Sequence, residues 1–363
     1  MRILVDAHVF SGKFQGTRTY IKGLYSSLIL RNQKWFFYIA SDNSDLIKRE
    51  FPETNNVIFV NYKYKNSFLR LLFDIPRLIS KYEIDYAHFQ YITPLFRYCK
   101  YIVTTHDILF AQKEYKSFFD KKYRYIKGPL FKHSAKKSDL LFTVSEYSKD
   151  KISENYSISK DKIYVTPNSI NFIDLEVNNT NDDSSFLFKK KYLLYVSRIE
   201  PRKNHVSVLK SFIELELYEK DYYVVFVGTS DHKYPELEKY IYKFKNIFDK
   251  YLIFLEGIED DQLRNIYSNA ELKIYPSLAE GFGIPPLEAA LLKKKVICSN
   301  KTAMRDFSFF KYHVNPLDQQ LLNQTIIQAL NDSNYPFNCI KNTIIHKYSW
   351  SKSAMVFEEA IRQ

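Results

Sequence analysis

Residues 272–292 read Leu272-Lys273-Ile274-Tyr275-Pro276-Ser277-Leu278-Ala279-Glu280-Gly281-Phe282-Gly283-Ile284-Pro285-Pro286-Leu287-Glu288-Ala289-Ala290-Leu291-Leu292. Leu272–Tyr275 predicts a short strand, with a proline directly after it. Gly281 and Gly283 predict a turn whose backbone another molecule can approach closely. Leu287–Leu292 predicts a buried helix. Strand, glycine turn and helix N-terminus together make a natural site for an anionic, hydroxyl-rich ligand. Glu280 and Glu288 place two carboxylates on either side of that turn.

The same strand–helix rhythm extends outward in both directions. In the second half, strands are expected at Tyr192–Val196, Tyr223–Val227, Leu252–Leu255, Leu272–Tyr275 and Val296–Ser299. In the first half they are expected at Ile3–Asp6, Trp35–Ala40, Val57–Asn61, Tyr86–Phe89, Ile102–Thr105, Leu140–Val144 and Ile163–Thr166. Helical stretches lie between them, including Thr17–Ile29, Phe68–Ser80 and Ser145–Asn155. Such alternation implies an α/β fold of two doubly wound, mainly parallel sheets. Residues 171–186, rich in Asn and Asp, read as a linker. The expected organisation is a first domain over 1–175, a second over 176–345 and an amphipathic helix over 346–363.

The chain has 363 residues, 45% of them hydrophobic, enough for two cores. The net charge is +12, which favours anionic partners such as nucleotide diphosphates, a membrane surface or nucleic acid without choosing among them. No helix-turn-helix, zinc-finger or RNA-recognition signature supports nucleic acid. Cys99, Cys298 and Cys339 are widely spaced, which argues against a disulfide framework and suits a reducing cytoplasm. The N-terminus opens on a strand instead of a signal peptide, and no apolar run approaches the ~20 residues of a membrane span. Residues 116–137 carry eight Lys or Arg against one Asp, interleaved with aromatics. Two readings stand there: a peripheral contact with an anionic membrane, or an ordinary helix with a charged face.

The run Glu280-Gly281-Phe282-Gly283-Ile284-Pro285-Pro286-Leu287-Glu288 resembles the E-G-F-G-x-P-x-x-E motif of retaining nucleotide-sugar glycosyltransferases of family 4. The resemblance extends over nearly the whole chain, from Gly16 to Ser349-Trp350-Ser351. It implies a GT-B architecture, two Rossmann-like domains facing a central cleft, with the terminal helix crossing back onto the first domain. It also assigns roles. Arg198 and Lys203, in Arg198-Ile199-Glu200-Pro201-Arg202-Lys203, would hold the donor diphosphate. Their charge would offset the negative charge building on the departing phosphate. Arg202, between them, reads as a solvated neighbour.

By the same resemblance, Glu288, at the start of the helix, would accept the ribose hydroxyls. Glu280 would position the sugar and stabilise an oxocarbenium-like state, not form a covalent bond. His106, after the strand ending Thr104-Thr105, would lie beside the sugar. Gly16 and the 281–284 backbone (Gly281, Phe282, Gly283, Ile284) would line the donor. Asp107 reads as a local cap, and as a base toward the acceptor in second place. Arg18 stands between acceptor phosphate contact and an exposed helix position. Ser145 reads as a helix N-cap. One glycine stands in the first loop where many relatives have two. Lys293-Lys294-Lys295 replaces their small-residue turn and reads as solvated.

No Asp-x-Asp element sits at a strand end, and Asp182-Asp183 falls in the linker, so no metal or other cofactor is expected. The implied function is metal-independent transfer of a hexose to a glycan or lipid-linked glycan in bacterial surface-polysaccharide or O-antigen synthesis, at the cytoplasmic face of the membrane. The run Arg198–Asn204 resembles mannosyltransferases, which puts GDP-mannose first among donors, with UDP-hexoses open. The competing readings are a nucleotide-sugar epimerase on this architecture and a basic nucleic-acid-binding protein.

Overall fold

The computed structural model describes residues 1–11, 16–170, 187, 189–230 and 233–363. Both the expected linker at 171–186 and Asp182-Asp183 lie outside them. The chain forms two compact units, one of Met1–Ser169 with Tyr348–Gln363 and one of Ile170–Lys347.

The first unit is a seven-stranded sheet: β1 (Arg2–Asp6), β2 (Phe36–Ser41), β3 (Val57–Asn61), β4 (Tyr86–Gln90), β5 (Lys100–Thr104), β6 (Leu140–Thr143) and β7 (Ile163–Val165). Its order is β3-β2-β1-β4-β5-β6-β7, and all neighbours are parallel. The second unit contains β8 (Lys191–Val196), β9 (Tyr222–Val227), β10 (Leu252–Leu255), β11 (Leu272–Tyr275), β12 (Val296–Ser299) and β13 (Tyr312–Val314). These are ordered β10-β9-β8-β11-β12-β13, again parallel throughout. Every strand expected from the sequence forms. β13 was not foreseen, because three residues carry too little pattern to stand out.

In each sheet the chain winds outward from one strand, then returns to wind the other way. The reversal falls between β1 and β4 in the first unit and between β8 and β11 in the second. Connections that leave neighbouring strands in opposite directions open a crevice at the strands' carboxyl ends, the usual ligand position in such sheets.

Four helices matter below: α1 (Gly16–Arg31), α2 (Lys121–Lys137), α3 (Ile284–Leu291) and α4 (Trp350–Arg362). The helix expected at Phe68–Ser80 is not uniform. It runs as Ser67–Leu69, a wider π turn at Arg70–Asp74, then Ile75–Tyr82. Pro76 explains the break, since its ring crowds the carbonyl of the preceding turn and it has no N–H to donate.

Ser349 Oγ caps α4 by accepting from the Lys352 N–H, and Trp350, Phe357 and Ala360 bury their faces in the first unit. Burying each large ring contributes about 2–3 kcal/mol. α1 meets α4 at Gly23, where any Cβ would sit 1.9 Å from the Trp350 indole. Glycine is therefore the only residue that lets the two helices approach this closely without repacking.

In α2, Phe131 is buried and stacks on Tyr91 at 4.5 Å, and Tyr123 packs against Phe110 at 5.7 Å. Most of its aromatics thus build the core, while Tyr125 and Ile126 remain exposed. No helix among the described residues is long and apolar enough to cross a membrane.

Candidate functional site

In the second unit, the loops after β8 and β11 leave the sheet at its reversal point. They are tied together by backbone: Leu278 N–H donates to Arg202 O at 2.8 Å. A short 3-10 turn, Pro201–Lys203, follows β8 and is closed by Asn204 in the left-handed region. The Tyr195 hydroxyl holds the Lys203 carbonyl at 2.5 Å. This fixes Lys203 pointing inward, where its amine meets Glu280 Oε1 at 2.5 Å. The Tyr275 hydroxyl donates to the same oxygen at 2.9 Å.

Arg202 completes the cluster. Its guanidinium donates to Glu280 Oε2 at 3.1 Å and to Ala279 O at 2.7 Å, and lies 2.7 Å from Glu200. Arg202 is therefore not the solvated neighbour expected. It is largely buried and bridges two carboxylates. The Glu280 N–H in turn donates to Thr302 Oγ1 at 2.8 Å.

The electrostatics follow from this packing. Burial pushes the Glu280 carboxyl up, but Lys203 and Arg202 together outweigh it and hold the group down at about 2. Burial and Arg202 pull the Lys203 amine down to about 8, against the attraction of Glu280. At neutral pH the pair is ionised.

Glu288 differs from Glu280. It lies in the second turn of α3, not at its start, and accepts from the Tyr267 hydroxyl at 2.8 Å. Burial raises its pKa, opposed by that hydroxyl and by Lys273. Lys273 is fully buried, and its amine has no hydrogen-bond partner among the described residues. It lies 5.1–5.7 Å from the ring centres of Tyr195, Tyr267 and Tyr275. Tyr267 and Tyr275, whose rings both border this amine, thus link Glu288 to Glu280 within one patch.

Arg198 stands on the same loop as Lys203, but its side chain is half exposed and lies 3.6 Å from Glu200. Gly283 has φ +104° and forms the N-cap of α3. Pro285 and Pro286 lack N–H groups, and the Gly283 and Ile284 amides make no hydrogen bond among the described residues. Those two donors are left at a helix N-terminus beside Glu280. The Phe282 side chain turns away, edge-on to Phe307 at 5.6 Å, so only its backbone faces the turn.

In the first unit, His106 follows β5 and is buried, with Nε2 2.7 Å from Gln90 Oε1. A carbonyl oxygen at that distance requires the proton on Nε2. Burial lowers the imidazole to about 3, so it is neutral. Tyr20 and Tyr91 flank the ring. Asp107 accepts from the Leu109 N–H at 3.1 Å, as a local cap does. Arg18 pairs with Glu50 at 2.7 Å, and Gly16 opens α1 with free space where a Cβ would stand. Ser145 caps its helix through the Ser148 N–H.

Reasoning from the sequence missed Glu200, Tyr275, Lys273 and Gly228. Gly228 has φ +142°, and a Cβ there would sit 2.1 Å from Ser197 O. It lets the exit of β9 press against the loop that carries Arg198. The Val227-Gly228 step at a strand end was the available signal.

Residues 178–346 match the family model for glycosyl transferases group 1, and residues 15–172 match that for glycosyltransferase family 4. The chain belongs to the family 4 glycosyltransferases, with one model for each doubly wound unit of a GT-B architecture. It is 31% identical to the O-antigen chain mannosyltransferase RfbU of Salmonella typhimurium over 251 residues, 65% of this chain and 63% of that protein. That match spans less than two thirds of the relative's length. O-antigen chain mannosyltransferase B of Escherichia coli is 27% identical over 312 residues, 79% of this chain and 80% of the relative. A crystal structure of a glycosyltransferase from Rickettsia africae superposes with a TM-score of 0.72 at 19% identity, over 100% of this chain and 99% of that one, which establishes the fold alone.

Proposed function

We propose that this protein transfers a hexosyl group from a nucleotide diphosphate sugar to a glycan or lipid-linked glycan, with retention of configuration and without a metal. The observation that carries this reading is the Lys203–Glu280 pair at the reversal point of the second sheet. The Lys203 ammonium has three N–H donors. One meets Glu280, and Tyr275 stands at 3.5 Å from the amine. A donor therefore remains for a phosphate oxygen.

Lys203, Arg198 and the amides of Gly283 and Ile284 act on the leaving diphosphate. Glu280 is kept ionised by the same cations and accepts hydroxyls of the donor sugar. Glu288 serves the ribose. As the bond from the anomeric carbon to the diphosphate oxygen breaks, the acceptor oxygen attacks on the same face. The acceptor's proton passes to the departing phosphate. Cations fixed at that phosphate stabilise the transition state more than the ground state.

The two O-antigen mannosyltransferase relatives make mannose the first sugar to test and O-antigen or related surface polysaccharide the pathway class. Isothermal titration with GDP-mannose, GDP, UDP-glucose and UDP tests the donor. NMR of the product reads the anomeric configuration. Saturable binding of one sugar nucleotide and a retained anomer are expected. Failure of every sugar nucleotide to bind would overturn the reading.

A further inference from the structure

The second sheet has another charged feature at its opposite end. Lys191 begins β8, Glu271 precedes β11 and Lys293–Lys295 precede β12, three strands that are neighbours in the sheet. Their amino ends border an open cavity of about 470 Å³ lined by two lysine triplets, Lys189–Lys191 and Lys293–Lys295. Glu271 is the one acidic residue among the described residues of the lining. The triplets lie about a hundred residues apart in sequence, and only the fold brings them together.

Lys293–Lys295 do not form the fully solvated turn that the sequence suggested. Lys294 and Lys295 are half-buried, and only Lys293 is exposed. Burial lowers the Lys294 amine below its usual value, with Glu271 opposing. Lys293 has φ 55°, a left-handed position that glycine would occupy at no cost and that other residues fill at about 1 kcal/mol. Three amines are engaged locally: Lys190 lies over the Tyr223 ring at 3.9 Å, Lys191 over the Tyr222 ring at 5.9 Å, and Lys295 donates to Leu330 O at 3.3 Å. The amines of Lys189, Lys293 and Lys294 make no hydrogen bond or ion pair among the described residues. Six ammonium groups around one concavity repel one another unless an anion enters.

We propose that this cavity is a second anion-binding site, which takes a group carrying two or more phosphoryl units. Compact ammonium charges on flexible stems suit phosphate oxygens, and the volume suits a small ligand instead of an extended polymer. The phosphoryl groups come either from a soluble polyphosphate compound or from the headgroup of an anionic lipid. The site lies at the end of the sheet away from Glu280, so it does not depend on the donor assignment above.

The test compares the full chain with Lys189→Gln/Lys191→Gln/Lys293→Gln, and with Lys121→Gln/Lys122→Gln/Lys127→Gln in α2 as a control of equal charge loss. Thermal melts confirm that each folds. Inorganic tripolyphosphate is titrated by calorimetry, and vesicles of phosphatidylcholine with and without cardiolipin are tested by flotation. The cavity variant should lose affinity on the order of tenfold, and the α2 control should keep it. Cavity-dependent binding of tripolyphosphate without flotation assigns a soluble ligand. Cavity-dependent flotation that tripolyphosphate reverses assigns a lipid headgroup. No saturable binding in either arm, or equal losses in both variants, would overturn the proposal.

Discussion

The two sheets reverse direction in the same way, yet their carboxyl strand ends carry different chemistry. In the second unit the strand ends carry a buried ionic cluster of Glu200, Arg202, Lys203 and Glu280. In the first, the ends of β4 and β5 carry a neutral network. The Tyr25 hydroxyl lies 2.6 Å from His88 Nδ1, His88 Nε2 lies 2.8 Å from Thr104 Oγ1, and His106 meets Gln90. The reversal point itself, at the end of β1, holds one buried carboxylate, Asp6, which is already met by Arg70, His8 and Tyr62. One topology thus yields two environments, because the residues at the strand ends, not the winding, decide the charge. The second unit suits a polyanion. The first suits groups that exchange hydrogen bonds without exchanging charge.

The largest effect should come from removing one member of the ionic cluster. Lys203→Ala should lower turnover at least about a hundredfold and cost roughly 3 kcal/mol, because Glu280 keeps only Arg202 for compensation. Steady-state kinetics and denaturant melts check both. Gln90→Ala, the matching change in the first unit, should cost about 1–3 kcal/mol by leaving His106 Nε2 unpaired. A near-normal rate for Lys203→Ala would erase the contrast between the two units.

Acid should next weaken the first unit more than the second, since the first holds two buried histidines lowered to about 3, His88 and His106, and the second holds one, His205. Burial lowers His88 and His106 to about 3 from an ordinary 6.5. A group whose folded pKa is depressed binds protons more readily in the unfolded chain. Its stabilisation is therefore present above 6.5 and is lost as pH falls toward 3. At pH 5 that amounts to about 2 kcal/mol for each histidine. Glu280 follows the same sign but a lower window, from its ordinary 4.5 down to about 2. Trp35 and Trp350 are the only tryptophans, and both belong to the first unit. Tryptophan fluorescence should therefore show a weakened first unit at pH 5, before Glu280 itself takes up a proton. Equal fluorescence midpoints at pH 7 and pH 5 would contradict the buried, neutral histidines.

Gly23→Ala sharpens the comparison from the other side. Its Cβ would enter the Trp350 ring, so the first unit should lose about 2 kcal/mol by overpacking. Nucleotide affinity, which the proposed function assigns to the second unit, should not change. The smallest effect is alkaline. Lys203 titrates near 8 against an ordinary 10.5, so donor KM should rise a few-fold from pH 7 to pH 9 as the cation is lost. Over pH 8–10 this same group should make the fold more stable, since the unfolded chain then holds the proton more tightly. Affinity and stability moving together would count against the assignment.

Much of this was legible in the sequence, for physical reasons. Twelve strands showed as apolar runs because parallel strands are buried on both faces. Lys203 and Glu280 could be assigned to one donor site because the glycine run marked a strand–turn–helix unit. Arg202 was misread, since nothing in local pattern distinguishes a guanidinium in water from one between two carboxylates. Glu288 was placed a turn too early, because Pro285 and Pro286 blur where a helix begins. Lys273 was invisible as a site residue. A lysine in a strand reads as an exposed position, and only the ring positions of Tyr195, Tyr267 and Tyr275 show that it is enclosed. The neutrality of His106 likewise needs its burial, which no spacing reports.

Ser169 Oγ donates to Tyr348 O at 2.7 Å, at the two points where the chain leaves the first unit and rejoins it. The second unit is thus a graft, spliced into a host whose cut ends remain side by side. Evolution or a protein engineer could exchange that graft for another, while the host keeps its sheet and its closing helix untouched.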